Sequence, residues 1–290
     1  MFAKPQLTAE WTNWIRQNLA NGCTVDSMAK IMVEKGFAPE FAYQVIFDAK
    51  NLGIVPMSPI IGTTAGSTQY VYETPRVPMD VNYIDTSDKR IYIGMRIKKP
   101  VIMTFNNFLS HDEANRLIDM SRDKLTTSKV VDPETGHHTK IKDRRSEGTF
   151  FKFNEDEFIT TIEKRIEEVI GTPAVNGEGL QILHYHPGGE YKAHFDYFPY
   201  DQAGSKQHLA NGGQRVSTLI LYLSDVEQGG ETTFPDINVT VVPNKGGALF
   251  FEYCNSKNQV DPLTLHAGMP VIKGEKWIAT KWMRQNRYSR

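Results

Sequence analysis

Cysteine is nearly absent from this chain. Its 290 residues include only two cysteines, Cys23 and Cys254, which lie far apart in the sequence. Two isolated thiols do not make the disulfide framework of a small secreted protein, and no Cys-x-x-Cys pair is present for a zinc site. Such cysteine usage is typical of a reducing compartment, so we expect a cytoplasmic protein.

Strong charge of one sign and long apolar runs are also missing. The 33 Lys and Arg residues nearly balance the 34 Asp and Glu residues, giving a formal net charge of −1. That balance produces no general attraction to nucleic acid or to an anionic membrane surface. No stretch approaches the roughly 18 apolar residues of a membrane span, and residues 1–11 lack the layout of a secretory signal. We therefore expect no nucleic-acid partner and no membrane partner.

The chain does contain enough apolar material for a sizeable core. Hydrophobic residues make up 40% and aromatic residues 11% of it, and the length suggests one large domain or two. The pattern over 1–51 predicts three short helices in a small bundle, either a docking module or a packing domain or dimer contact. The stretch 52–89 is rich in proline and glycine and predicts a linker, part of which could cross the surface of the next domain.

The remaining residues, 90–290, predict a second and larger domain. Helical patterns come first and many short strands with glycine turns follow, which indicates an α+β protein whose sheets form a sandwich or barrel. The polar stretch Asp201–Gly213 is either a lid over a site or a plain surface loop. Nothing in the sequence fixes the oligomeric state.

Two histidines, one aspartate and one lysine form the most informative pattern. On a strand, residues i and i+2 project from the same face, so His194 and Asp196 can bind one metal while Phe195 points away. His266 must come from another strand. Two imidazoles and one carboxylate are the ligand set of a non-haem Fe(II) centre with open coordination positions. The even spacing from His266 to Lys276 allows the lysine to face the same cavity and hold an anionic co-substrate.

The sequence around these residues resembles the prolyl 4-hydroxylase branch, of bacterial type, of the 2-oxoglutarate- and Fe(II)-dependent dioxygenases. The resemblance covers roughly 99–284 and excludes the N-terminal helices. The motifs occur in the order found in that family, and together they are highly specific. They are Leu180–Tyr185, Gly188–Phe198, Gly212–Asp225, Gly229–Pro235 and Leu265–Trp282.

The resemblance implies a double-stranded β-helix, or jelly-roll, core with supporting helices, and it implies the cofactors. Iron is expected on His194, Asp196 and His266, and Lys276 is expected to pair with the distal carboxylate of 2-oxoglutarate. A buried pair between an ammonium group and a carboxylate is favourable only when further hydrogen-bond donors satisfy the carboxylate oxygens. Tyr185 and Thr232 stand where relatives place such hydroxyls. Family chemistry consumes O₂ and converts 2-oxoglutarate to succinate and CO₂, and ascorbate is a further expected ligand.

The same resemblance predicts residues that contact the substrate, but it does not determine which substrate is used. Arg215 and Trp282 match positions that line the peptide or active-site region, and Arg145 begins a strand that in relatives abuts a mobile substrate loop. We expect hydroxylation of prolyl residues in a peptide or protein. The alternatives are the same chemistry on a free amino acid or small metabolite, or an inactive domain that binds protein. Ala193 replaces a proline that is common beside the first ligand in relatives, which leaves substrate preference less determined.

Overall fold

The computed structural model describes residues 7, 9–20, 23–52, 70–128, 130–131, 138–139 and 145–289. Residues 1–6 and 53–69, which belong to the predicted bundle and linker, lie outside this set. The chain divides into two compact units, Met1–Gln69 with Phe234–Val239, and Tyr70–Thr233 with Thr240–Arg290. Within the described residues, no helix combines the length and the apolar character that a membrane crossing requires.

The first unit contains three helices, α1 (Ala9–Ala20), α2 (Val25–Glu34) and α3 (Pro39–Leu52). The Thr24 side chain begins α2 by accepting a hydrogen bond from the Ser27 backbone N–H, which satisfies one of the free donors at a helix start. Apolar side chains from all three helices share one buried cluster, and this shared burial holds the short helices together. Its fully buried members include Ile15, Met28, Ala29, Met32, Ala42 and Ile46.

The second unit is mostly β-sheet with flanking helices, which confirms that part of the predicted fold class. Its helices are α4 (His111–Arg122), α5 (Glu157–Ile170) and α6 (Ser205–Leu209). Its early strands are β1 (Tyr83–Asp85), β2 (Arg90–Lys98), β3 (Val101–Asn106), β4 (Thr126–Thr127), β5 (Val130–Val131), β6 (His138–Thr139), β7 (Glu147–Phe151) and β8 (Leu180–Tyr185). The later strands are β9 (Tyr191–His194), β10 (Arg215–Tyr222), β11 (Gln228–Gly229), β12 (Thr232–Phe234), β13 (Val239–Val241), β14 (Ala248–Glu252), β15 (His266–Gly268), β16 (Val271–Lys273) and β17 (Lys276–Arg284).

A nine-stranded antiparallel sheet is the frame of this unit, in the order β1-β2-β3-β14-β10-β17-β8-β7-β4. Every residue of its central strand β17 is buried, because both faces of that strand are covered. On one face Lys281 reaches Glu163 of α5, with 2.6 Å between Nζ and Oε1. Strand alternation therefore turns Lys276 to the other face. A smaller sheet holds β12, β15 and β9 as successive neighbours.

Part of the predicted linker packs on this second unit. The Val71 backbone N–H donates to Oε1 of Gln259 at 3.0 Å, and Arg76 pairs with Glu252 of β14 at 2.5 Å. Val77 is completely buried. The residues from Tyr70 onward are therefore a structural part of the second unit, and they contact the end of β14 and the loop that follows it.

A buried arginine ties α5 to the start of α4. The Arg165 side chain is only 1% exposed and forms ion pairs with Asp88 and Glu113, while its guanidinium also donates to the Phe108 carbonyl oxygen at 2.9 Å. Glu113 is at the same time half of a capping box with Ser110 at the beginning of α4. Although burial raises the pKa of Glu113, its hydrogen bonds from the neighbouring cations lower it to about 2. One cation thus fixes two helices and the loop between β1 and β2.

Replacing Arg165 with alanine would leave Asp88 and Glu113 without their shared cation in partly buried surroundings. We expect the free energy of unfolding to fall by about 3 kcal/mol, measured by urea denaturation. The matched control is Lys164→Ala, because Lys164 is exposed and, among the residues that the structure describes, forms an ion pair only with Glu168, at 3.8 Å. That control should lose less than about 0.5 kcal/mol. Equal losses in the two variants would contradict the structural role of Arg165.

Candidate functional site

The two histidines of the predicted metal site face each other across a strand pair. His194 ends β9 and His266 begins β15, and in the antiparallel register of these strands the two residues are direct partners. Their ring centroids are 4.3 Å apart. Residues that lie opposite each other on neighbouring strands hold their side chains on the same face of the sheet. Strand pairing therefore brings together two imidazoles that are distant in sequence.

Asp196 completes the cluster from the turn after β9. Its carboxylate oxygens lie 3.4 Å from Nε2 of His194 and 3.6 Å from Nε2 of His266. The three potential ligand atoms all lie within 4.8 Å of one another. A first-row divalent ion with bonds of about 2.1 Å can contact all three atoms at once. This donor set fits Fe(II) and leaves coordination positions for other molecules.

Backbone carbonyl groups orient both imidazoles. Nδ1 of His194 lies 2.8 Å from the carbonyl oxygen of Lys192, and Nδ1 of His266 lies 3.0 Å from that of Thr264. A proton on each Nδ1 satisfies these carbonyl oxygens and leaves the Nε2 lone pairs free for a metal. Burial, together with the nearby His194, lowers the pKa of His266 to about 4. His266 is therefore neutral at pH 7, as a ligand must be.

The hydroxyl of Thr218 holds the aspartate and is itself in contact with the hydroxyl of Tyr253, and no sequence pattern pointed to either residue. The Thr218 hydroxyl of β10 donates to Asp196 at 2.6 Å, and the Tyr253 hydroxyl lies 3.0 Å from the Thr218 oxygen. Although burial raises the pKa of Asp196, the imidazoles of His266 and His194 hold it well below its usual range. The carboxylate is thus ionised and fixed in position.

Lys276 presents a buried ammonium group close to these ligands. It is 3% exposed, its strand partner is Tyr185, and its Nζ lies 5.5 Å from the centroid of the Tyr185 ring. A Cβ atom added to Gly268, two residues after His266, would lie 3.8 Å from this Nζ. Among the described residues, no carboxylate forms an ion pair with Lys276.

The environment of Lys276 fits a small carboxylate ligand. Burial, only partly offset by the charge of Glu231, lowers its pKa to about 8. A buried cation without an anionic partner is costly, and a bound carboxylate would remove that cost. Gly230 has a φ of +73°, where any other residue would be strained. It also lies beside the aliphatic stem of Lys276, so a side chain there would occupy space next to the lysine. 2-Oxoglutarate carries the carboxylate that this arrangement suits.

Thr232 lies at the edge of the same region. It is buried in β12 and is paired with Gly268 of β15. Its hydroxyl lies 3.1 Å from the hydroxyl of Tyr222, at the end of β10. A local pattern cannot show that this tyrosine supports Thr232, because their contact depends on how β10 and β12 pack.

Arg215 is held inside the protein by other side chains. Its guanidinium forms a bidentate ion pair with the carboxylate of Glu178, with N–O distances of 2.6 and 2.9 Å. It also donates to the carbonyl oxygen of Asp196 at 3.2 Å. It also stacks over the ring of Trp282 at 3.9 Å. These contacts favour a role in positioning Asp196. The substrate-side assignments of Arg215 and Trp282 remain predictions.

Arg145 has an exposed side chain and is not among the three candidate metal ligands. Its side chain is 58% exposed and pairs with Glu190 at 2.7 Å, and it borders a surface pocket of about 260 Å³. Its substrate role also remains a prediction. The stretch Asp201–Gly213 contains α6, and the ring of His208 there stacks on that of Phe198, with centroids 5.0 Å apart. Whether this stretch acts as a lid remains a prediction.

Comparisons with known proteins agree with this geometry. A model of the 2OG-Fe(II) oxygenase superfamily matches residues 180–284. The chain is 42% identical to probable prolyl 4-hydroxylase 3 of Arabidopsis thaliana over 209 residues, which are 66% of this chain and 71% of that protein. It is 38% identical to prolyl 4-hydroxylase 5 of the same plant over 209 residues, 66% of this chain and 70% of that protein.

A solved structure shows the same similarity in three dimensions. The viral collagen prolyl hydroxylase of Paramecium Bursaria Chlorella virus-1, in complex with 2OG, is 32% identical and superimposes with a TM-score of 0.51. The match covers 63% of this chain and 95% of the viral protein. The region matched by the superfamily model includes the three candidate metal ligands. It also includes Lys276, Tyr185 and Thr232. The chain therefore belongs to the 2OG-Fe(II) oxygenase superfamily, whose members use Fe(II) and 2-oxoglutarate, and within it to the prolyl 4-hydroxylase family.

Proposed function

We propose that this chain hydroxylates prolyl residues of a peptide or protein, using Fe(II), 2-oxoglutarate and O₂. The observation that carries the proposal is the convergence of His194, Asp196 and His266 beside the buried ammonium group of Lys276. The prolyl substrate is supported by the names of the plant and viral relatives. A complete ligand set together with Lys276 argues against the inactive binding module.

Each residue of the proposed site has a separate task. His194, Asp196 and His266 would hold iron through Nε2, a carboxylate oxygen and Nε2. Lys276 would bind the far carboxylate of 2-oxoglutarate, with the hydroxyls of Tyr185 and Thr232 as further donors. When bound, iron would supply the oxidation with O₂ as the oxidant: one oxygen atom would enter succinate as 2-oxoglutarate loses CO₂, and the other would enter the substrate as a hydroxyl group. Thr218 and Arg215 would keep Asp196 in place throughout.

The finer description of the fold belongs to the same proposal. We infer a double-stranded β-helix from the nine-stranded sheet and the smaller sheet that carries both histidines. The shared core of α1, α2 and α3 supports an N-terminal bundle over 1–51, followed by a linker and a catalytic domain over 90–290 that also uses residues from Tyr70 onward. Ascorbate binding and a cytoplasmic location remain predictions.

Mass spectrometry of proline-rich peptides tests the proposed substrate class. Incubation with Fe(II), 2-oxoglutarate and O₂ should add the mass of one oxygen atom at proline, with an equal amount of succinate. His194→Ala should reduce both products by at least about 100-fold, since it removes a metal ligand, and His111→Ala, at an exposed helix start, should leave both unchanged. Succinate formation stimulated only by a free amino acid would contradict the peptide substrate. Unchanged turnover in His194→Ala would contradict the iron site itself.

Lys276→Ala tests the binding of 2-oxoglutarate. Loss of a buried charged partner should weaken 2-oxoglutarate binding by about 2–5 kcal/mol, seen as a large rise in its KM. The KM for Fe(II) should change little, because Lys276 is not a metal ligand. Exposed Lys273, which pairs with Glu227 at 2.5 Å, provides the matched control Lys273→Ala. An unchanged KM for 2-oxoglutarate in Lys276→Ala would remove the assigned role.

The lowered pKa of Lys276 predicts how co-substrate binding depends on pH. Below about 8 the lysine carries its charge and attracts the carboxylate, and above it the charge is lost. Binding of 2-oxoglutarate, measured by calorimetry with Mn²⁺ in place of iron, should therefore weaken by up to about tenfold per pH unit above that pKa. Lys276→Arg keeps its charge over this range. A wild-type profile as flat as that of Lys276→Arg would contradict the prediction.

A further inference from the structure

A second cluster of metal-binding side chains lies on the outer face of the large sheet. In the strand registers, His184 of β8 is the partner of Glu147 in β7 and of Trp277 in β17. His184 and His186 flank Tyr185, so strand alternation turns them away from the face that Tyr185 and Lys276 share. The imidazole rings of His184 and His186 lie 4.1 Å apart, centroid to centroid. The proposed hydroxylase reaction uses none of these histidine or glutamate side chains.

Three of these side chains have the separations expected of ligands on one ion. Oε2 of Glu147 lies 3.5 Å from Nε2 of His186 and 4.0 Å from Nδ1 of His184. Ligand atoms from these three residues all lie within 4.8 Å of one another. Small adjustments of the exposed Glu147 and His186 side chains would bring all three within bonding distance of an ion, about 2.0–2.2 Å. Two imidazoles and one carboxylate with a free fourth position suit a borderline divalent transition metal.

A second carboxylate orients the buried histidine from behind. Oε2 of Glu275 lies 3.0 Å from Nε2 of His184. A proton on that nitrogen satisfies the glutamate and leaves the Nδ1 lone pair directed to the Glu147 side. Carboxylates that hold the far nitrogen of a ligating histidine are a regular feature of metal sites, because they fix the ring and raise its basicity. An ordinary ion pair on the protein surface does not need a second carboxylate that holds the far nitrogen of the histidine ring.

The surroundings of His184 hold it neutral and rigid. Its side chain is 6% exposed and its ring stacks on Trp277, with centroids 3.9 Å apart. Burial, reinforced by the nearby His186, lowers its pKa although Glu275 opposes the shift. A neutral imidazole is the form that binds a metal without first releasing a proton. His186 and Glu147 also line the surface pocket beside Arg145, so the cluster is open to ions from solution.

We propose that Glu147, His184 and His186 form a second metal site, with Glu275 as its orienting carboxylate, for a divalent ion of the Zn²⁺ type. A bound ion would join β7 to β8. Through Glu275, which directly precedes Lys276, it would also fix the start of β17. This site is separate from the iron ligands and does not depend on the hydroxylase assignment.

Zinc binding to the full-length chain tests the proposal, with Zn²⁺ alone as the probe and calorimetry as the readout. In the His194→Ala background, where the iron site lacks a ligand, the protein should still bind one equivalent of Zn²⁺. Adding His186→Ala should abolish that equivalent, and adding Glu275→Gln should weaken it by about 10–100-fold. Adding His111→Ala, the removal of an exposed histidine elsewhere, should have no effect.

Two results of this experiment would contradict the proposed metal site. Absence of zinc binding in the His194→Ala background would contradict it, as would binding that His186→Ala and Glu147→Gln leave unchanged. Thermal unfolding with and without Zn²⁺ provides a second readout. The ion should raise the melting temperature of the His194→Ala protein and should not raise that of the His194→Ala, His186→Ala protein. Because His186 is exposed, its replacement leaves the fold intact and makes a loss of binding interpretable.

Discussion

The antiparallel pairing of β9 with β15 is the constraint on which the candidate site depends. It places His194 directly opposite His266, and Asp196 follows from the turn that ends β9. Strand side chains alternate between faces, so a slip of one residue in this register would turn one imidazole away from the other. Each ring is also oriented within its own segment, because its Nδ1 lies at hydrogen-bond distance from the carbonyl oxygen two residues earlier. The metal site is therefore a property of the strand pair rather than of any single motif.

A network of buried charges reaches the candidate site through Asp196. Glu178 accepts from both Arg215 and Arg284, at 2.6 and 2.7 Å, and its carbonyl oxygen accepts from Lys281 at 2.6 Å. Arg215 then donates to the backbone of Asp196. Such a network stabilises only when every member is satisfied, so loss of one partner leaves others buried and unpaired. The second unit thus links α5, β17 and the metal ligands through one set of ion pairs.

The sequence singled out His194, Asp196 and His266 as candidate ligands, and the structure brings these three side chains together. Alternation along a single strand does not explain these positions, because β9 ends at His194 and Asp196 lies in the turn that follows. His266 and Lys276 belong to two different strands, β15 and β17, with β16 between them. Thr218 could not be predicted, because its contact with Asp196 depends on the packing of β10 beside the turn after β9. In the three-helix unit, Ile31 of α2 and Phe41 of α3 are both 40% exposed. A three-helix core is too small to cover every apolar side chain.

We propose that one site holds the metal on three side chains and the co-substrate on Lys276. A crystal structure of the full chain with Mn²⁺ and 2-oxoglutarate, in which anomalous scattering locates the metal, would show both ligands at once. We expect Mn²⁺ within bonding distance of Nε2 of His194, a carboxylate oxygen of Asp196 and Nε2 of His266. We also expect the far carboxylate of 2-oxoglutarate to lie against the Nζ of Lys276. A metal bound away from these ligands, or a 2-oxoglutarate carboxylate held by another cation, would rule out this arrangement.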